Sequence, residues 1–182
     1  KARLAEFKKL RSAGNKKLFA ELCFCLCTPQ SKAVNCHEAV CRLERSGALF
    51  GGCRRKIAKQ LKGLVRFHNN KAKYIVEARE KFFRTPKLTR EWLVKNIKGL
   101  GMKEASHFLR NIGLGDNLAI LDRHILTNLK KYGAIGKIPK TISKKQYLII
   151  EESARRFSKE TGIPFAELDL LFWSNQTGHI FK

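Results

Sequence analysis

Apolar residues recur at three- and four-residue spacing along almost the whole chain, with no sustained period-two alternation, so the pattern predicts helices throughout and an all-α fold. Leu4, Phe7 and Leu10 mark a first helix that stops near Gly14. A second, over 17–27, is apolar on most faces, as suits an element buried all round. Pro29 breaks it into the turn Thr28-Pro29-Gln30-Ser31, and Ser31 is placed to cap a third helix through Leu43. Gly47, Gly51 and Gly52 predict a loop before a basic helix over 54–61, and 64–70 reads as a second loop. A helix over 71–83 ends at the breaker Thr85-Pro86. Thr89 then caps 90–97, and two glycines around Leu100 turn the chain into a helix over 103–112. Helices over 122–132, 143–159 and 164–173 complete the set.

Charge narrows the partners. Lys and Arg total 38 against 15 Asp and Glu, a net charge of +23. Such an excess repels itself in a compact state, and the phosphates of nucleic acid relieve that repulsion while releasing counterions. A membrane is the weaker partner. No apolar run approaches the roughly 20 residues of a membrane span, and no helix pairs a wholly basic face with a broad aromatic one. The N-terminal segment lacks the apolar block of a signal peptide, so a cytoplasmic protein is expected. The six cysteines, Cys23, Cys25, Cys27, Cys36, Cys41 and Cys53, show no metal-ligand spacing, and buried free thiols are expected with no metal site.

The chemistry concentrates between Ile97 and Asp122. Gly99 and Gly101 bracket Leu100 ahead of a helix, a turn that leaves amide N–H groups free for a phosphate. By itself this is also an ordinary helix–turn–helix corner. Lys103 stands in the first turn after the glycines, where the helix dipole disfavours an ammonium and basic neighbours are expected to disfavour it further. A neutral amine there is a nucleophile able to form a Schiff base at a sugar carbon. Asp122 opens the next helix as an N-cap, and the same fixed negative charge suits a developing oxocarbenium ion.

Together, Ile97-Lys98-Gly99-Leu100-Gly101-Met102-Lys103-Glu104-Ala105 and Asp122-Arg123-His124-Ile125 resemble the helix–hairpin–helix superfamily of DNA base-excision glycosylases. The resemblance puts the family's catalytic lysine on Lys103 and its aspartate on Asp122, and a lysine there implies a bifunctional glycosylase and β-lyase. It also implies two helical lobes around a catalytic cleft, with lobe one near 20–118 and lobe two near 1–19 plus 119–182. Leu26-Cys27-Thr28-Pro29-Gln30-Ser31 resembles the helix end whose polar residue enters the DNA stack, which makes Gln30 that residue, or else an exposed turn residue. No cysteine follows Cys53, so the iron–sulfur cluster of related subfamilies is excluded. The length and residues 173–182 look like the archaeal-type 8-oxoguanine DNA glycosylase/AP lyase.

What that implies is a monomer acting on duplex DNA that contains 8-oxoguanine, with no cofactor required and a monovalent cation allowed at the hairpin. Trp173 would line the base pocket and Lys182 would help read the oxidised base. Asp169 or the Lys182 carboxylate would accept from the ring N–H that guanine lacks. Asp169 as a solvent-facing helix residue and His107 as a structural one, rather than a second face for the base, stay open. Phe67 is a wedge or a core residue; Lys71 and Lys73 are DNA-backbone contacts or a solvated face. A cluster-free glycosylase for oxidised pyrimidines and a non-catalytic DNA-binding module are the rival functions.

Overall fold

The structure, a computed structural model, describes residues 2–84 and 87–178, and eleven helices connect them without a strand among the described residues. The breaker at Thr85-Pro86 lies outside that range. In chain order the helices are α1 (Ala2–Leu10), α2 (Asn15–Cys27), α3 (Ala33–Arg45), α4 (Ala48–Gly51), α5 (Arg54–Leu61) and α6 (His68–Arg84). Then come α7 (Arg90–Asn96), α8 (Met102–Asn111), α9 (Arg123–Lys131), α10 (Lys144–Thr161) and α11 (Phe165–Thr177). All-α is the fold, as the apolar spacing predicts.

Two buried apolar clusters organise the helices. The larger is centred on α2, whose side chains from Leu18 to Cys27 are all buried, packed among α3, α6 and α8. The smaller draws on α9, α10 and α11, with Leu129, Ala154 and Phe172 at its centre. Residues 113–118 connect α8 of the larger cluster to the segment leading into the smaller one. Helix α1 packs on α8, and Leu10 lies against the larger cluster together with Leu18 and Phe19.

Three expectations about local structure change. Residues 48–51 form the single turn α4 in place of a loop, and α6 begins at His68, taking in Asn69 and Asn70 at its exposed first turn. Lys32, not Ser31, stands at the N-cap of α3, because the Ser31 hydroxyl is engaged elsewhere. The thiols differ as well. Cys23, Cys25, Cys27 and Cys36 are buried, whereas Cys41 is half-buried and Cys53 is exposed. Burial pushes Cys27 up to about 12 and Cys36 to about 11. The backbone amides of Lys56 and Arg55 draw the Cys53 thiol down.

Candidate active site

Two helix N-termini carry the candidate catalytic residues, and each is built from local chemistry. The first is α8. Thr89 caps α7, its Oγ1 accepting from the Trp92 N–H at 3.3 Å, and the chain turns through Leu100, buried between its two glycines. Gly99 has a φ of 92°, and a Cβ there would lie 2.5 Å from the Tyr74 ring, so only glycine fits. No side chain caps α8 at Gly101.

Lys103 follows in the first turn of α8, its side chain 29 % exposed. Its neighbour is not the basic group the sequence suggests. The Glu104 carboxylate lies 3.1 Å from the Lys103 Nζ and also sits beside Gly101.

The second N-terminus is α9, capped by Asp122, whose Oδ1 accepts from the Ile125 N–H at 2.8 Å. The segment leading to it is held from α10. The Tyr147 hydroxyl donates to the Ala119 carbonyl at 2.6 Å and accepts from the Leu121 N–H at 3.3 Å. Glu151 accepts from the Ala119 N–H at 2.7 Å and from both Arg90 Nη atoms at 2.7 and 2.9 Å. Burial pushes the Tyr147 hydroxyl up to about 12. At Arg90 burial works against the charge, and the bonds to Glu151 more than offset it, so its pKa rises. Removing one partner of such a buried pair costs about 3–5 kcal/mol. The aspartate is therefore placed by a rigid frame rather than by its own loop.

Between these termini runs a cleft of about 740 Å³. Lys103, Asp122, His107, Asp169, Trp173 and Gln30 all line it, drawn from four separate segments of the chain. His107 is buried, edge-on to Phe24 with ring centroids 5.8 Å apart. Asp169 is not solvent-facing: its carboxylate lies 3.6 Å from the buried Arg110 guanidinium. Burial raises its pKa, and Arg110 opposes that rise.

Two cleft residues have no role in the sequence reading. Arg110 looks there like one more lysine-or-arginine of a basic chain, and nothing local shows that Asp169 and the Phe7 ring, 4.8 Å from its guanidinium carbon, converge on it. His124 packs against Trp173 with ring centroids 5.0 Å apart. Its signal was present, because it follows Asp122 by two positions at the start of α9.

The DNA-facing candidates divide. Gln30 and Phe67 are both exposed, Phe67 by 53 %, which rules out its packing in the core. Lys73 is exposed beside Glu77. Lys71 is a correction. It is 4 % exposed, and its ammonium is spent on the Cys27 and Pro29 carbonyls and the Ser31 hydroxyl, which leaves it neither a phosphate contact nor part of a solvated face. Burial lowers its pKa accordingly. Lys182 lies outside the described residues. Among the described residues, no group of His, Cys, Asp and Glu suits a metal ion, and no helix is long and apolar enough to cross a membrane.

Comparison with known proteins points the same way. A family model described as 8-oxoguanine DNA glycosylase matches residues 1–163. The chain is 48 % identical to an 8-oxoguanine DNA glycosylase/AP lyase of Fusobacterium nucleatum, covering all of this chain and 90 % of that one. It superimposes on the 8-oxoguanine DNA glycosylase of Thermotoga maritima with a TM-score of 0.90 at 35 % identity, over 100 % of this chain and 90 % of that one. The corresponding figures are 0.88 and 39 %, over the same shares, for the Methanocaldococcus jannaschii 8-oxoguanine glycosylase/lyase solved with a 15mer DNA containing 8-oxoguanine.

Proposed function

The chain belongs to the 8-oxoguanine DNA glycosylase family, and from that premise we propose that it removes 8-oxoguanine from duplex DNA at Lys103 and Asp122 and then nicks the strand. It is a bifunctional glycosylase and AP lyase of base-excision repair. The observation that carries the residue assignment is the convergence of Lys103, Asp122 and Trp173 on one cleft directly behind the glycine hairpin.

The duplex is held through the amides at Gly99 and Gly101 and through basic side chains, Lys73 among them. The damaged base, turned out of the stack, lies against Trp173, with His107 in the opposite part of the cleft. Asp169 accepts from the ring N–H that distinguishes 8-oxoguanine from guanine, with Lys182 a second recognition group. Lys103 leaves Glu104, sheds a proton and attacks the anomeric carbon. As that C–N bond forms the glycosidic bond breaks, and the departing base takes up a proton. Asp122 faces the positive charge that develops on the sugar. The sugar ring opens to a Schiff base on Lys103. Loss of a C2′ proton then expels the 3′ phosphate and leaves the strand nicked.

The protein acts as a monomer, in the cytoplasm with the DNA it repairs. No step calls for a cofactor, so chelation is expected to leave the rate unchanged; a monovalent cation at the hairpin would appear as tighter duplex binding in its presence.

Borohydride trapping on an 8-oxoguanine duplex tests the assignment. Wild type is expected to form a covalent adduct and Lys103→Gln none. Asp122→Asn keeps a good cap and its fold, and is expected to lose about 100- to 1,000-fold in single-turnover excision. An adduct with Lys103→Gln, or cleavage of thymine glycol with none of 8-oxoguanine, refutes it.

A further inference from the structure

Gln30 and Phe67 hold φ values of 55° and 56°, and they are the only non-glycine residues with positive φ among the described residues. An L-residue stays in that region only where its surroundings leave it no alternative. Both side chains are exposed, and the ring of Phe67 meets the Arg66 guanidinium, 5.6 Å from its centroid. The constraint lies beneath them, at Lys71.

The Lys71 ammonium donates to the Cys27 carbonyl at 2.6 Å, the Pro29 carbonyl at 2.8 Å and the Ser31 hydroxyl at 3.0 Å. An ammonium has three donors, and all three are used. Two of the acceptors flank Gln30 directly. Ser31 Oγ also accepts from the Arg66 backbone N–H at 3.0 Å, one residue before Phe67. The Lys71 N–H closes the other side by donating to the Phe67 carbonyl at 3.0 Å. Every acceptor of the ammonium is neutral.

Resting on the reading of Gln30 and Phe67 as the residues that enter the DNA stack, we propose that Lys71 and Ser31 form a positioning node. The node joins two segments distant in sequence into one wedge and thereby governs extrusion of the damaged base rather than the bond-breaking chemistry. A wedge whose two prongs drift apart lets the duplex close again before the base reaches the cleft.

Ser31→Ala removes the tie to Arg66 and leaves Lys71 its two carbonyls; Lys71→Met removes all three donors. Each is compared with wild type in single-turnover excision of paired 8-oxoguanine and in nicking of a preformed abasic duplex, where no base has to be extruded. Fluorescence of 2-aminopurine beside the lesion reports unstacking. Ser31→Ala is expected to slow excision about tenfold and blunt the fluorescence rise, while abasic nicking stays within about twofold of wild type. Lys71→Met is expected to show the same split more strongly. Parallel loss of both activities, or wild-type excision by Ser31→Ala, overturns the proposal. Gln30→Ala and Phe67→Ala separate it from the reading beneath. Wild-type excision by both removes the wedge itself, whereas slow excision by these two with a normal Ser31→Ala removes only the node.

Discussion

Two turns of this chain proposed to contact DNA adopt positive φ, and they do so in opposite ways. In the hairpin the angle falls on a glycine: Gly99 has φ 92°, and its missing Cβ lets the backbone lie against Tyr74. In the turn after α2 the angle falls on Gln30, at 55°, with Phe67 matching it nearby. The difference matches the role proposed for each turn. A phosphate is held by amide N–H groups, so a side chain is in the way and glycine serves best. A gap in a base stack is filled by a side chain, so that side chain must be present and its backbone strain borne. The first turn is relaxed by composition; the second needs Lys71 and Ser31 beneath it.

Gly99→Ala attacks the relaxed turn and carries the largest effect. A methyl group 2.5 Å from the Tyr74 ring at positive φ has no strain-free position. A loss of about 2–4 kcal/mol in urea unfolding is expected, together with weaker binding of undamaged duplex by fluorescence anisotropy. Adding Tyr74→Ala makes room for the methyl group but leaves the backbone angle, so the double variant should recover only part of the stability. Wild-type stability in Gly99→Ala would show that the turn does not depend on glycine, and the contrast with Gln30 would fall.

How legible these features are in the sequence depends on how local their causes are. Thr89 and Asp122 are readable as caps, because a cap is a bond between neighbours three residues apart. Helix α5 is likewise found over the residues its pattern marks. Ser31 has the same local signature and does not cap, since its hydroxyl is claimed from 35 and 40 residues away. Lys71 fails for the same reason. On a basic helix it reads as surface, and only the fold brings three acceptors to it. Within the cleft, Lys103 and Asp122 are marked by their places at helix starts, whereas Arg110 becomes visible only once Asp169 and Phe7 are placed around it.

Gln30→Gly tests the strained turn, and its effect on stability is the smaller and opposite one. Glycine holds a φ of 55° without strain, while its greater freedom in the unfolded chain takes back part of that gain. Stability is expected to be unchanged or higher by up to about 1 kcal/mol. Excision of paired 8-oxoguanine should nonetheless fall about tenfold, because the inserted group is gone. Gln30→Ala keeps the strain and loses the same group, so it should match the slow excision without the gain in stability. A glycine is thus harmless to the fold at one turn and ruinous to function there, while at the other its loss harms the fold first. Wild-type excision by Gln30→Gly would mean that this turn, like the hairpin, offers only its backbone, and Lys71 and Ser31 would be left holding a strain that serves no side chain.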